Sequence, residues 1–440
     1  MNLYLLDFGS GSLKAFEKAP QVGDVITATE EEKLTNFLKM LRKEVDYRKA
    51  CFSEYGGDHA EYIRSAQKTV PNILVVLQNY SAFSEVYEDL QDEFTILSRD
   101  GLKYGIYFLV TAETTNAVRY RTQQNFKMIL SLQLNDPSEY PILLGKTDGL
   151  VPAKCKGRGL AVLDKVYEFQ TAYLSDESEL MDLLRNKCRE WTERDSGKAR
   201  RVPILPGIVD YDFVSSAIQG IKAVPIGVEK KELEIASVNL GDKVLYPVLG
   251  LDILSLAPFT EEFIRVCRDI VPVEVVDAER TLKEGLSTVP MEQYEEYVRE
   301  LFQEMVERHN HYIDSRLDPK SLNEYREKVV VISGLRRFVE RLSEDGKDKL
   351  FTLIDKAESF YKIHFAVFES EKQFELVSDR RIRGKANGEE GLWIGNGINY
   401  QSVLDTSRML GLEDEIGADF GYQVERGRLV LVKVLSGKEM

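Results

Sequence analysis

The feature that most limits the fold is a set of short runs that are apolar along their whole length and separated by helical patterns. LYLLDFG (3–9), the run beginning NILVVL (72–77) and GIYFLVTA (105–112) are strand-sized and offer apolar side chains to both faces of an extended chain. Between the first two, Leu34, Phe37, Leu38, Leu41, Val45 and Phe52 recur on the helical period, which predicts an amphipathic helix over 30–52. Thr29 with Glu32 three places on predicts a capping box at its start. A further helix is predicted near 82–100. Strands with one wet face alternate apolar and polar residues. Strands apolar throughout, alternating with helices, predict an α/β fold with a mostly parallel sheet covered on both faces.

The chain of 440 residues exceeds one ordinary core. At roughly 100–200 residues per domain, two or three domains are expected. No apolar run approaches the roughly 18 residues of a membrane span. MNLYLLDFGSG has no basic leader and runs straight into Asp7, so a signal peptide is not expected. Cys51, Cys155, Cys188 and Cys267 lie far apart with no CxxC pair, which reads as reduced thiols rather than a disulfide frame or zinc site. His309 and His311 lie two apart near the end of a predicted helix. They share no helical face and have no third ligand nearby in sequence, so no metal site is expected. The net charge of −15 argues against a nucleic-acid partner, which requires an accumulated basic surface.

The second half repeats the first in order. VPVEVVDAER (271–280) stands where LYLLDFG stood, with Asp277 against Asp7. KVVVISGLRRF (328–338) matches NILVVLQNYSAF (72–83), and YKIHFAVFES (361–370) matches YGIYFLVTAE (104–113). GLWIGNGINYQ (391–401) matches GRGLAVLDKVYEFQ (157–170), each read as a glycine-led strand. The polar stretch NKCREWTERDSGKARR places a linker at 186–201, between modules at 1–185 and 202–440.

Nucleotide hydrolases of the P-loop kind end the strand corresponding to 72–77 in carboxylates that hold magnesium and orient water. Here that strand ends in two amides, Gln78 and Asn79, and its partner ends in Ser333 and Gly334. The second module adds VLYPVLGLDILSLAPFTEEFIRVCRDI (244–270), a strand, turn and helix where G-x-x-x-x-G-K-[ST] would sit. Counting from Gly250, the second Gly, the Lys and the Ser/Thr are replaced by Ser255, Leu256 and Ala257, and Pro258 removes a backbone donor. GKTDG (145–149) has Tyr140 where the first P-loop glycine belongs, and GSGSLK (9–14) follows the wrong strand. These positions predict a nucleotide-type cleft without the groups that bind ATP and Mg²⁺.

The runs SRDGLKYGIYFLVTA (98–112), NAVRYRTQQNFKMILSLQLNDPSEYPILLG (116–145) and GRGLAVLDKVYEFQTA (157–172) resemble the FtsK/SpoIIIE-type ATPases. Within that superfamily the resemblance is strongest to the type VII secretion ATPases, called EssC or EccC. GLWIGNGINYQSVLD (391–405) is similar to the ending of their last module. The resemblance implies two RecA-like P-loop NTPase-type modules, a partial penultimate one and a degenerate last one. The strand, P-loop and first helix it places ahead of LYLLDFG are expected to lie outside the chain. The first module would then be N-terminally truncated, its sheet incomplete or protected by the second. The resemblance also implies attachment to the cytoplasmic side of the cell membrane through upstream segments. Its implied partners are small helical WXG-type secretion substrates and other modules of a hexameric motor. ATP and Mg²⁺ are implied only in the full-length assembly, with none expected here. Arg99 stands where the superfamily often has an arginine facing a neighbouring subunit. Beside a trans-acting finger, a surface pair with Asp100 explains it as well, and Arg119 and Arg121 read as structural.

The resulting expectation is a module pair that serves substrate recognition, assembly or regulation of a secretion motor rather than hydrolysis. Two readings remain beside it: a fragment of an FtsK-type DNA translocase, and a weak ATPase completed by neighbouring subunits through Arg99.

Overall fold

Helices and apolar strands alternate along the chain and form two units, Met1–Ile204 and Leu205–Met440. The structure, a computed structural model, describes residues 1–173, 177–194, 197–377, 379–386, 388–406 and 412–437. The first unit runs β1 (Asn2–Asp7), β2 (Val22–Thr27), α1 (Glu31–Phe52), α2 (His59–Ala66), β3 (Ile73–Gln78), α3 (Tyr80–Val86), α4 (Gln91–Asp100) and β4 (Ile106–Val110). It continues with α5 (Tyr120–Gln123), β5 (Leu130–Ser131), α6 (Glu139–Leu144), β6 (Arg158–Val162), β7 (Val166–Gln170) and α7 (Glu177–Arg194).

Four parallel strands lie in the order β2-β1-β3-β4. One face carries the predicted apolar stripe of α1, with Leu34, Phe37, Leu38, Leu41 and Val45 packed on Leu6, Val75 and Leu77. On the other face Cys188 and Trp191 of α7 pack with Leu5 and Val25. A separate antiparallel sheet, β5-β6-β7, holds 157–170. That stretch is a hairpin, not the single strand expected, because the chain reverses at Leu163, whose N–H bonds to the carbonyl of Lys165.

Three further local expectations change. The Thr29–Glu32 capping box does not form. Instead the Glu30 carboxylate accepts from the backbone N–H and hydroxyl of Thr27, 2.9 Å each, and closes the turn ahead of α1. The helix expected near 82–100 is two helices, α3 and α4, with a 3-10 turn at Glu88–Leu90 between them. Strand β2 had no place in the sequence reading because Gly23 and Asp24 interrupt its apolar run. Both have a structural reason. A Cβ on Gly23 would stand 2.7 Å from the carbonyl oxygen of Arg200. The buried Asp24 carboxylate receives Lys33 Nζ at 2.6 Å and the N–H groups of Val25 and Val202 at 3.1 and 3.3 Å. Tyr4 donates its hydroxyl to the same Arg200 carbonyl at 2.8 Å, and burial pushes its pKa up to about 12. Within the stretch 186–201, α7 continues to Arg194, residues 195 and 196 lie outside the described residues, and 199–202 lie beside β2.

The second unit contains α8 (Tyr211–Val214), β8 (Val224–Glu229), β9 (Ile235–Val238), β10 (Leu245–Gly250), α9 (Ala257–Arg268), β11 (Val273–Asp277) and α10 (Tyr294–Asp314). It continues with β12 (Lys328–Ser333), α11 (Leu335–Glu340), α12 (Glu344–Lys356), β13 (Ile363–Ser370), α13 (Glu371–Leu376) and α14 (Arg380–Ala386). The last strands are β14 (Glu390–Ile394), β15 (Phe420–Glu425) and β16 (Arg428–Val434). The sheet order is β11-β12-β13-β10-β14-β15-β16-β8-β9, parallel from β11 to β14 and antiparallel beyond. Phe259 and Phe263 of α9 fill one face; Tyr294, Val298, Leu301 and Met305 of α10 fill the other. The two histidines of α10 have separate partners: His309 Nδ1 lies 2.7 Å from the Tyr361 hydroxyl and His311 Nε2 lies 3.4 Å from Glu324.

Phe263 is fully buried and its ring meets Phe368 of β13 edge-on at 5.6 Å. Phe263→Ala is expected to cost the second unit about 3–5 kcal/mol. Urea unfolding followed by the fluorescence of buried Trp393, in a Trp191→Phe background, measures it.

Candidate functional site

In the second unit the chain leaves β10 at Gly250, β11 at Asp277, β12 at Ser333 and β13 at Ser370. Register places these ends side by side, with Gly250 opposite Ser370 and Asp277 opposite Ser333. In a parallel sheet this edge is where a ligand cleft forms. The residues singled out from the sequence therefore do converge: 250–257 follow β10, 333–334 follow β12, and β13 lies between the two strands.

The turn after β10 is closed on itself. The Ser255 N–H donates to Asp252 Oδ1 at 2.9 Å, and the Ser255 hydroxyl donates to the Asp252 carbonyl at 2.8 Å. The Leu256 N–H bonds to the carbonyl of Ile253 at 3.2 Å. Ala257 begins α9, and Pro258 beside it has no N–H to offer. The Leu256 side chain turns into the core against Gly250, where a Cβ would stand 3.0 Å from Leu256 Cδ2 and 3.1 Å from the Ile394 carbonyl. Leu251 and Leu254 (70% exposed) of this turn face outward, as does Tyr400 (81% exposed). Leu251 lies against Gly397, and the Ser402 N–H and hydroxyl bond to Glu371 and Glu375 of α13.

Ser333 is buried and shares a hydrogen bond with the Thr281 hydroxyl at 3.2 Å. Gly334 has φ +83° and caps α11; a Cβ there would meet Glu279 Cγ at 2.5 Å, so the glycine is required. The sequence reading missed Glu369, the one acid within the apolar strand β13. Its buried carboxylate accepts the N–H groups of Arg336 at 3.1 Å and Ser370 at 2.9 Å. Burial, which outweighs these bonds, holds its pKa above the usual carboxylate value. The signal in the sequence was a charged residue where a parallel strand should be apolar.

The first unit has a counterpart for each part. Asp7 lies opposite Gln78 in register, as Asp277 lies opposite Ser333. The Asp7 carboxylate accepts N–H groups from Gly9, Gly11 and Leu13 at 3.2, 3.1 and 2.9 Å, and that of Asp277 accepts from Thr281 and Leu282 at 3.1 and 3.0 Å. Gln78 lies against Gly9, with its Oε1 buried and unpartnered. Asn79 takes the left-handed conformation that Gly334 takes, φ +65°, and its Oδ1 caps α3 through the Ala82 N–H at 3.3 Å. Its own N–H donates to Thr111 Oγ1 at 3.0 Å. Arg99 lies in the last turn of α4. There it is exposed and forks onto Asp100, Nε to Oδ1 at 2.7 Å and Nη2 to Oδ2 at 3.3 Å. Arg119 pairs with Glu88 at 3.5 Å and Arg121 lies on α5.

Residues 1–144 match the FtsK/SpoIIIE family. The first unit contains an FtsK/SpoIIIE domain. The ESX secretion system protein YukB of Bacillus subtilis is 27% identical over 261 residues, which are 57% of this chain and 17% of that protein. The type VII secretion system protein EssC of Staphylococcus aureus is 21% identical over 462 residues, 99% of this chain and 30% of that protein. The chain thus spans only 17–30% of the length of these curated relatives. Among solved structures, ATPases 2 and 3 of EssC from Geobacillus thermodenitrificans superpose with a TM-score of 0.81 at 18% identity. They cover 99% of this chain and 85% of theirs. ATPases 2 and 3 of Thermomonospora curvata EccC, solved with a signal sequence peptide, give a TM-score of 0.53 at 20% identity over 100% of this chain and 82% of theirs. Both units have the RecA-like P-loop NTPase fold of these ATPase modules. No helix among the described residues is long and apolar enough to cross a membrane.

Because the folded-state pKa of Glu369 is raised, its stabilising contribution is complete below the unfolded-chain value and is lost as pH rises through the folded value. Wild type is therefore expected to gain melting temperature relative to Glu369→Gln as pH falls from about 7.5 to about 5. Paired calorimetric scans across that range test the sign.

Proposed function

We propose that the chain is part of a type VII protein-secretion ATPase and that its two units serve substrate recognition, assembly or regulation of the motor rather than hydrolysis. The observation that carries this reading is the turn after β10. Asp252 already holds the Ser255 N–H that a phosphate needs, and it sets a negative charge beside the position a phosphate would take. Leu256, at the lysine position, is buried in the core. At the ends of β12 and β3, Ser333–Gly334 and Gln78–Asn79 offer hydroxyl, amide and backbone groups but no carboxylate to balance Mg²⁺. Asn79 and Gly334 serve instead as left-handed turn residues that start α3 and α11. ATP–Mg²⁺ does not fit these residues.

What the edge of the second unit offers is apolar surface: Leu251 and Leu254 of a closed turn, with Leu251 against Gly397 and Tyr400 exposed three residues further on. Such a surface suits an apolar peptide signal of a small helical WXG-type substrate. The EccC pair solved with a signal sequence peptide supports a peptide ligand for a module of this fold. The other partners in this reading are further modules of the same hexameric motor at the cytoplasmic side of the membrane.

Calorimetry separates the readings. ATP–Mg²⁺ is expected to give no binding heat, whereas a C-terminal peptide of a WXG-type substrate binds. Leu254→Asp should weaken the peptide by about tenfold or more, on the order of 1.4 kcal/mol. A steady ATPase rate abolished by replacing Gln78 or Asn79 overturns the proposal. A rate that climbs with protein concentration and falls on Arg99→Ala selects the trans-acting reading instead.

A further inference from the structure

We infer that the second unit carries, at the ends of β11 and β12, a cationic surface of Arg280, Arg337 and Arg341 that takes an acidic segment of a protein partner. Arg280 lies in the loop after β11, where Asp277 gathers the N–H groups of Thr281 and Leu282. Arg337 lies on α11 and Arg341 caps its C-terminal end, four residues on and therefore on the same side. Glu279 joins the two segments, because its carboxylate is paired with Arg337 and its side chain lies beside Gly334. Arg280 and Arg341 both lie near the Tyr294 hydroxyl, where their charges oppose the rise in its pKa that burial causes.

The first unit makes the same backbone features without these charges. Asn79 and Gly334 are the equivalent left-handed residues, and Tyr80 and Phe83 are buried after the one as Leu335 and Phe338 are after the other. Counted from these residues, Arg337 and Arg341 correspond to Ala82 and Val86; counted from Asp277 and Asp7, Arg280 corresponds to Ser10. The fold therefore forms without a cation at any of the three places. Arg280 also takes φ +58°, whereas the left-handed residue of the first unit's loop is Gly11, φ +77°. Glycine makes such a turn with less strain, so an arginine held there points to a role for its side chain.

The chemistry of the partner follows from what is left unpaired. Of the acids bordering the cluster, Glu279 holds Arg337, Glu340 holds Arg336, and Glu295 accepts the N–H and hydroxyl of Ser343. Arg280 and Arg341 are exposed and make no ion pair or side-chain hydrogen bond among the described residues. Their guanidinium forks match carboxylates, which they bind through two parallel N–H donors. A long polyanion such as nucleic acid would run on over a protein of net charge −15, whereas a short acidic segment meets only the arginines. The surface is separate from the apolar turn after β10, since β13 stands between β12 and β10.

A fluorescein-labelled oligoglutamate peptide is the probe, titrated with the full chain and read by fluorescence anisotropy. At about 0.15 M salt the Debye length of roughly 8 Å screens the acidic surface beyond the cluster. Saturable binding is expected, weakened by on the order of tenfold or more in the double variant Arg280→Gly, Arg341→Ala. Glycine suits the left-handed turn and alanine a helix end, so this variant should melt no lower than wild type. Charge reversal by Arg280→Glu with Arg341→Glu should abolish oligoglutamate binding and admit oligolysine instead. Absence of saturable oligoglutamate binding overturns the inference, as does binding that survives the double variant. A short DNA duplex that binds more tightly than the peptide, and is released by the same substitutions, overturns it in favour of a nucleic acid.

Discussion

Val329 and Val331 of β12 turn toward the side covered by α9, while Val330 and Ile332 turn toward the side covered by α10. A parallel strand cannot leave either face in water without losing the burial that stabilises it, at roughly 25 cal/mol per Å² of apolar surface. That demand sets the helix-strand-helix layering of the second unit and places its loops at the two ends of the strands.

With both faces committed to packing, polar chemistry is confined to the strand ends, and there the two units use one device. Asp7 and Asp277 each terminate a strand and gather the N–H groups of the following loop. A carboxylate taking two or three backbone donors fixes a loop that has no core of its own. Asn79 and Gly334 then turn the next strand into a helix through a left-handed residue, the glycine because Glu279 leaves no room for a Cβ. These anchors are structural, and they explain why the repeat is legible in sequence although few residues are identical.

The sequence disclosed elements in proportion to how far a single periodicity controlled them. The stripe of α1 and the runs of β3, β12 and β13 needed only the burial rule. β2 escaped because Asp24 is paid for by Lys33 and two backbone donors, partners that no local pattern reveals. The hairpin in 157–170 escaped because strand-forming residues flank its turn without glycine, and the capping box failed because Glu30 reached Thr27 first. At the site, the positions of Gly250, Ser255, Leu256, Ser333 and Gly334 were legible from spacing. Their roles were not. That Ser255 would be held by Asp252, or that Glu369 would be buried beside them, depends on where strands far apart in sequence are paired.

The turn after β10 is also hard to reverse in small steps. Leu256 packs against Gly250 and belongs to the core that holds α9, so a lysine there would have to leave the core or bury its charge. Removing Asp252 frees the Ser255 N–H but leaves Leu256 in place and Pro258 without a donor. Each substitution that separates this turn from a phosphate cradle is thus stabilised by the others through shared packing and hydrogen bonding. On the reading proposed here, such a turn acts as a fixed platform. Leu251 and Leu254 stay outward because Asp252 closes the loop between them, and the surface they present does not depend on any bound nucleotide.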